Sequence, residues 1–279
     1  MATRIARIVT QAIVIGISIS LVLFAVSDWK LSDASAYWNA GMRLRDGAPL
    51  YPVVGNVEAS DVYRYAPWFA WLAIPFTFLP PFLAGALWSL ILLGSSALAV
   101  WPAARRGAWL QTVFFGAVLI GISAIGNAQP VIVAMLVHGV ERRSGPLWIA
   151  LAASLKAVPL VFALVYLGRR QWLRFALSCV LTAVLVVPAL FYGVGNYVTD
   201  AGYAALLFGA PAVYVAVVGV AALVTIRLAR SRWAWLAAGV TAALALPRFF
   251  VYDVTFLAPG TRSVAHDGIG AGVDPGRGS

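Results

Sequence analysis

Long apolar runs alternate along the chain with short polar breaks, and the runs have the length of helices that cross a membrane. Stretches 8–26, 82–101, 109–125, 172–190, 208–228 and 233–250 carry at most one charge each. All are close to the roughly 20 residues that an α-helix needs to pass through bilayer hydrocarbon. Two further runs are irregular: 129–140 is short, and 147–167 is interrupted by Lys156 and Pro159. Arginines at both ends of that second run predict two half-length helices meeting near Lys156. Each would be about 15–18 Å long at 1.5 Å per residue, and so buried among other helices rather than facing lipid.

The breaks carry the basic charge in bursts: Arg4 and Arg7, Arg105 and Arg106, Arg142 and Arg143, Arg169, Arg170 and Arg174, then Arg227, Arg230 and Arg232. Loops of this kind stay in the cytoplasm, which predicts a cytoplasmic N-terminus and an extracytoplasmic loop over 27–80. Only one span then separates that loop from Arg105, so 67–79 cannot cross. With Trp68, Phe69, Trp71, Phe76 and Phe78 between breaks at Pro67, Pro75, Pro80 and Pro81, it reads as a helix lying in the outer interface. Continued alternation places 196–203 and 248–253 outside as well. The expected fold is therefore all-α: a polytopic transmembrane helical bundle over 1–258, with an outer-face interfacial helix after the first span.

The basic start and first apolar run resemble a signal sequence, but no small-residue cleavage site precedes Asp28, so a retained first span is expected. The tail 259–279 is rich in Gly with Asp, Arg and Pro, and reads as disordered. It begins where 251–258 looks like the opening of another span, as expected of a truncated or frame-shifted reading or of a genuine short tail.

Composition removes the main competing classes. The chain is 62% hydrophobic and 11% charged, against roughly 45–50% and about 25% in soluble domains. The formal charge of +10 sits in loop bursts rather than in a patch interleaved with aromatics, which argues against nucleic acid. A single cysteine, Cys179, allows no internal disulfide, and only two histidines, His138 and His266, argue against a metal cluster. No metal or cofactor is expected, and His138 reads as structural.

Candidate chemistry gathers on the side predicted to face out. In SDASAYWNAGMRLRDGAPLYP, residues 32–52, Ser32 or Asp33 can cap a short helix carrying Tyr37 and Trp38. An acid at the membrane surface beside aromatics suits glycosyl transfer on a lipid carrier; the plain alternative is an N-cap with an interfacial aromatic belt. Arg64, in VYRYAPWFAW with Tyr65, offers a planar fork of donors to a phosphate or snorkels to the headgroups. Asn127 and Gln129, in GNAQP, line a cavity or satisfy helix ends. Lys156, in SLKAVP, is an intramembrane charge costing on the order of 2.5–3.5 kcal/mol, which calls for a cavity or partner, a lipid-linked phosphate being suitable. Arg248 and Asp253, in LPRFFVYDVTF, supply a second acid or pair with each other.

The order of these motifs resembles the glycosyltransferase 87 family of the GT-C superfamily. SDASAYWNAGMRLRDGAPLY is similar to that family's first-loop pattern, and YRYAPWFAWLAIPFTFLP to its second, with Ala66 in place of a proline. NAQP stands where the family has a GQ turn, ALAASLKAVPL matches its lysine stretch, and LPRFFVYDVTF its YD motif. The resemblance spans 8–257. It implies a GT-C-like fold and metal-independent transfer of a sugar, commonly mannose, from a polyprenyl-phosphate donor to a glycan or glycolipid acceptor at the extracytoplasmic face of the cell membrane. It also implies that Asp33 is the catalytic base, that Arg64 and Lys156 hold the donor phosphate, and that Tyr37 and Tyr252 shape the sugar pocket. Tyr65, Asn127, Gln129, Arg248 and Asp253 complete the substrate-binding candidates. Some members carry a histidine near the last motif; Phe249, Phe250 and Asp253 occupy that stretch here.

Two rival readings remain. Broken helices around Lys156 also suit a transporter or flippase of a lipid-linked or small polar substrate, although neither an internal repeat nor a two-sided polar path is visible. The odd tail suits an inactive truncated remnant.

Overall fold

The computed structural model describes residues 2–52, 62–194, 210–246 and 249–265. Among them there are helices and no strands. Four helices are long and apolar enough to cross a bilayer: Ile8–Ser27 within α1 (Ala2–Ser27), α4 (Pro81–Ala104), the run Trp172–Tyr192 that begins with α9 (Trp172–Val186), and α10 (Pro211–Leu228). Their outward surfaces are apolar, with Leu90 66%, Leu173 73% and Val215 68% exposed. Such a surface is stable only against lipid, and the chain is a helical membrane protein.

Of the other two expected spans, one keeps its expected length and one is shorter. α5 (Trp109–Ala124) is 16 residues, about 24 Å at 1.5 Å per residue, and its second half is buried. α11 (Ala234–Leu244) has only 11 residues, where 233–250 had been expected to form a span. The chain turns at Ala245 and Leu246, ahead of Pro247, which disfavours helical backbone in the residue before it. Instead of opening another span, Val251–Ala265 forms a 3₁₀ run packed against α11 and α6 (Gln129–Gly139). Gly239 permits this contact, since a Cβ there would stand 2.3 Å from the Phe256 carbonyl oxygen. The start of the supposed tail, 259–265, belongs to the same run; the rest of it lies outside the described residues.

The interrupted region is broken where expected. α7 (Gly145–Leu155) ends at Lys156, whose backbone is extended. A 3₁₀ turn, Val158–Phe162, then leads into the short α8 (Ala163–Gly168). Both arms return to one end of the bundle, where the Tyr166 hydroxyl of α8 donates to the Val140 carbonyl, 2.5 Å away, beside the start of α7. That end is held by a polar clamp. Arg169 forks onto Glu141 and donates to the Ala229 carbonyl, the Trp235 indole N–H also reaches Glu141, and Arg174 reaches the Arg142 carbonyl. His138 bonds the Leu98 carbonyl, tying α6 to α4 as a structural residue.

At the opposite end, α2 (Ser32–Arg45) packs on the short α3 (Pro67–Ala73) and the 3₁₀ turn after it (Ile74–Phe78), and its start meets the end of α5 and the turn into α6. The turn between α5 and α6 requires glycine at 126: its φ is 82°, and a Cβ would fall 2.8 Å from the Ala34 side chain. The start of α2 and the start of α6 are thereby brought together.

Candidate functional site

Leu31, not Ser32 or Asp33, is the N-cap residue of α2, and no side chain caps that helix. Neighbouring carbonyls do the work: Leu31 N–H donates to Ala124 and Asp33 N–H to Ile125, at 2.9 and 2.7 Å. The Asp33 carboxylate is thus available for another partner, which corrects the capping role expected of it. Asn127 Nδ2 donates to Asp33 Oδ2 at 2.8 Å, while Asn127 Oδ1 accepts the Gln129 N–H at 2.9 Å. The second bond fixes the amide so that its donor faces the acid. Asn127 therefore satisfies a helix end, one of the two roles left open by the sequence, and it also bonds the carboxylate, which the sequence did not indicate. Burial pushes the Asp33 carboxyl above the usual range, and the Asn127 bond and the charge of Arg64 partly offset the rise.

One turn later on α2, the Tyr37 hydroxyl donates to the Tyr65 hydroxyl at 3.0 Å and accepts the Ala128 N–H at 3.2 Å. Its ring meets Tyr65, Phe69 and Trp88 edge-on. Burial raises the Tyr37 hydroxyl well above its ordinary value and Tyr65 to about 12, so both remain protonated donors at neutral pH. Three contributors were not singled out in the sequence. Trp88 donates to the Gly126 carbonyl, Tyr51 to the Tyr65 carbonyl, and Thr255 receives Gln129. Trp88 and Thr255 stand in apolar runs without any local signal.

Lys156 Nζ lies 2.5 Å from Asp253 Oδ1, over the rings of Tyr252 and Phe256 at 5.0 and 5.4 Å. Asp253 is fully buried, and its Oδ2 accepts the Phe250 N–H at 2.9 Å. Within the chain, the partner of Lys156 is therefore this carboxylate. Asp253 in turn is committed to Lys156; Arg248, its other expected partner, lies outside the described residues. Tyr252 stacks on Phe250, centroids 5.3 Å apart. Gln129 Nε2 donates to Thr255 Oγ1, whose hydroxyl is spent on the Tyr252 carbonyl, leaving Gln129 Oε1 buried without a donor among the described residues. Arg64 is exposed and within electrostatic reach of Asp33 and Tyr65. Its strand of chain is tied to the end of α7, where Ala66 N–H donates to the Ser154 carbonyl and Trp68 Nε1 to Ser154 Oγ.

All the expected site residues that the structure describes thus gather at one end of the bundle. Beside them runs an apolar cavity of about 570 Å³, walled by Tyr37, Trp68, Phe69, Trp88, Met135 and Leu155, with Lys30 at its rim. Among the described residues no three His, Cys, Asp or Glu side chains cluster as metal ligands do. No family model, curated protein or solved structure matches the chain.

Proposed function

We propose that this chain is a membrane glycosyltransferase that moves a sugar, mannose-like by the resemblance, from a polyprenyl-phosphate donor to an acceptor hydroxyl at the extracytoplasmic face. Asp33 is the observation that carries the reading: a carboxylate at the start of α2 that caps nothing and is aimed by Asn127. Its raised pKa suits a general base, since proton transfer is most effective when the base is poised nearer the working pH. Asp33 takes the proton from the acceptor hydroxyl as that oxygen attacks the anomeric carbon, and the polyprenyl phosphate leaves with the bonding pair. Arg64 and Lys156 are two of the cations at this end of the bundle, those to which the resemblance gives the donor phosphate. The apolar cavity, bordered by Leu31 and Ala34, which flank Asp33 in the chain, is suited to a hydrocarbon chain whose head reaches the acid.

In this account the clamped end, rich in arginine, faces the cytoplasm, α3 lies in the outer interface, and the bundle is GT-C-like. The break at Lys156 also suits a transporter or flippase.

The test is label transfer. Protein in nanodiscs is given polyprenyl-phosphate [¹⁴C]mannose, the matching glucose and arabinose donors, and an extracted envelope glycolipid mixture. Label appearing in a glycolipid product supports the proposal; intact donor across every pairing, with well-folded protein, counts against it.

A further inference from the structure

The end of the bundle opposite the site is knit from three loops that lie far apart in the sequence. Gly168 lets the end of α8 meet the end of α10, since a Cβ there would stand 2.3 Å from the Ile226 carbonyl oxygen. Gly145 does the same for the start of α7, where a Cβ would stand 2.1 Å from the Tyr166 hydroxyl. The clamp closes over these contacts: Arg169 bonds Glu141 and the Ala229 carbonyl, and Arg174 the Arg142 carbonyl. The stretches joined in this way, 139–145, 168–174 and 226–234, carry eight arginines and one acid, Glu141. That acid is spent inside the clamp, on Arg169 and the Trp235 indole. Arg142, Arg143, Arg170, Arg227 and Arg230 are exposed. Because Glu141 adjoins Arg142 and Arg169 adjoins Arg170, the bond within the clamp sets exposed arginines of two loops beside each other. Like charges gathered in this way repel one another, and an anion taken up among them relieves the repulsion.

Arg170 is held there against backbone preference. It follows the end of α8 at φ 60°, the left-handed position at which helices usually end on glycine. A strained backbone kept under a charged side chain points to a use for that charge. The surroundings select the anion. Trp172 and Leu173, just after Arg170 in the chain, are exposed, and Arg232 lies over the ring of the exposed Trp233, 5.1 Å from its centroid. Tryptophan beside arginine at the ends of lipid-facing helices marks headgroup depth. A soluble polyanion would meet the charges but leave these apolar side chains uncovered. We propose that this end of the bundle binds the headgroup of an anionic phospholipid, with Arg142, Arg143 and Arg170 gripping its phosphodiester through planar forks. Arg169 and Arg174 hold the loops together beneath it. The binding is independent of the glycosyl-transfer reading.

The experiment titrates purified protein in neutral detergent with phosphatidylglycerol, with phosphatidylcholine and with a short oligodeoxynucleotide. Bound lipid is counted by native mass spectrometry, and thermal unfolding is followed alongside. Wild type should retain phosphatidylglycerol about tenfold better than phosphatidylcholine, and Arg142→Gln/Arg143→Gln/Arg170→Gln should erase the preference. Arg170→Gly serves where the triple variant does not fold. Glycine accepts the left-handed backbone, so the lipid-free variant should unfold at the wild-type temperature or above while its lipid preference falls about threefold. Equal retention of both lipids by wild type, a preference that survives the arginine variants, or displacement of phosphatidylglycerol by the oligodeoxynucleotide overturns the proposal.

Discussion

Asn127 and Asp33, 94 residues apart in sequence, are joined by a 2.8 Å hydrogen bond in which the amide donates to the carboxylate. The bond orients an acid that has no other structural task at the start of α2. Asn127→Ala should therefore lower kcat about 10–100-fold with a smaller change in KM, as loss of a group that positions a base does. Steady-state transfer kinetics check this. Equal losses in kcat and in unfolding temperature would instead mark Asn127 as a structural residue.

The same acid sets a pH dependence. Because burial raises the Asp33 pKa above its unfolded value of 3.8, the folded protein binds this proton more tightly than the unfolded chain. Stability from the protonated carboxyl is complete below the unfolded value and is lost as pH rises through the folded one. Asp33→Asn should then be more stable than wild type at neutral pH, and the gap should close toward pH 4. A variant equally stable across that range contradicts the burial penalty.

The Lys156–Asp253 pair predicts strong non-additivity. Lys156→Met alone leaves a fully buried carboxylate without its cation and should cost about 3–5 kcal/mol. Lys156→Met/Asp253→Asn removes both charges and should recover most of that loss. Denaturation of the singles and the double in one detergent gives the coupling directly, and simple addition of the two losses would show that the residues do not act as a pair.

Backbone contact between α11 and the 3₁₀ run gives a prediction remote from the chemistry. Gly239→Ala places a methyl 2.3 Å from the Phe256 carbonyl oxygen and must push the run away, costing about 1–3 kcal/mol by overpacking. Gly219 in α10 has nothing within 4 Å of a Cβ, so Gly219→Ala should be neutral or slightly stabilising. Thermal unfolding of the two variants side by side checks the contrast.

The outer helices were legible because lipid demands uninterrupted apolar length: α1, α4, α9 and α10 stand where the runs placed them. The break at Lys156 was legible too, since arginines at both ends of one apolar run are incompatible with a straight crossing. The reach of α11 was not, because apolar composition continues through 245–250 while the helix stops before Pro247. Nor were the partners inside the site. Asn127 could be placed near a helix end, but its bond to Asp33, like that of Lys156 to Asp253 across 97 residues, depends on how helices stack and leaves no local signature. Reading Asp33 as a cap failed for the same reason: the Ala124 and Ile125 carbonyls that relieve it of that duty come from α5 and the turn after it.

The most direct measurement is transfer by Asp33→Asn, in nanodiscs at matched protein level, using whichever donor and acceptor the wild type converts. Asparagine keeps the shape and can still accept from Asn127, so only the base is removed. Transfer should fall at least about 10²–10⁴-fold, the usual contribution of a general base, with donor-lipid binding retained. A variant that transfers sugar at the wild-type rate would contradict the account at its centre.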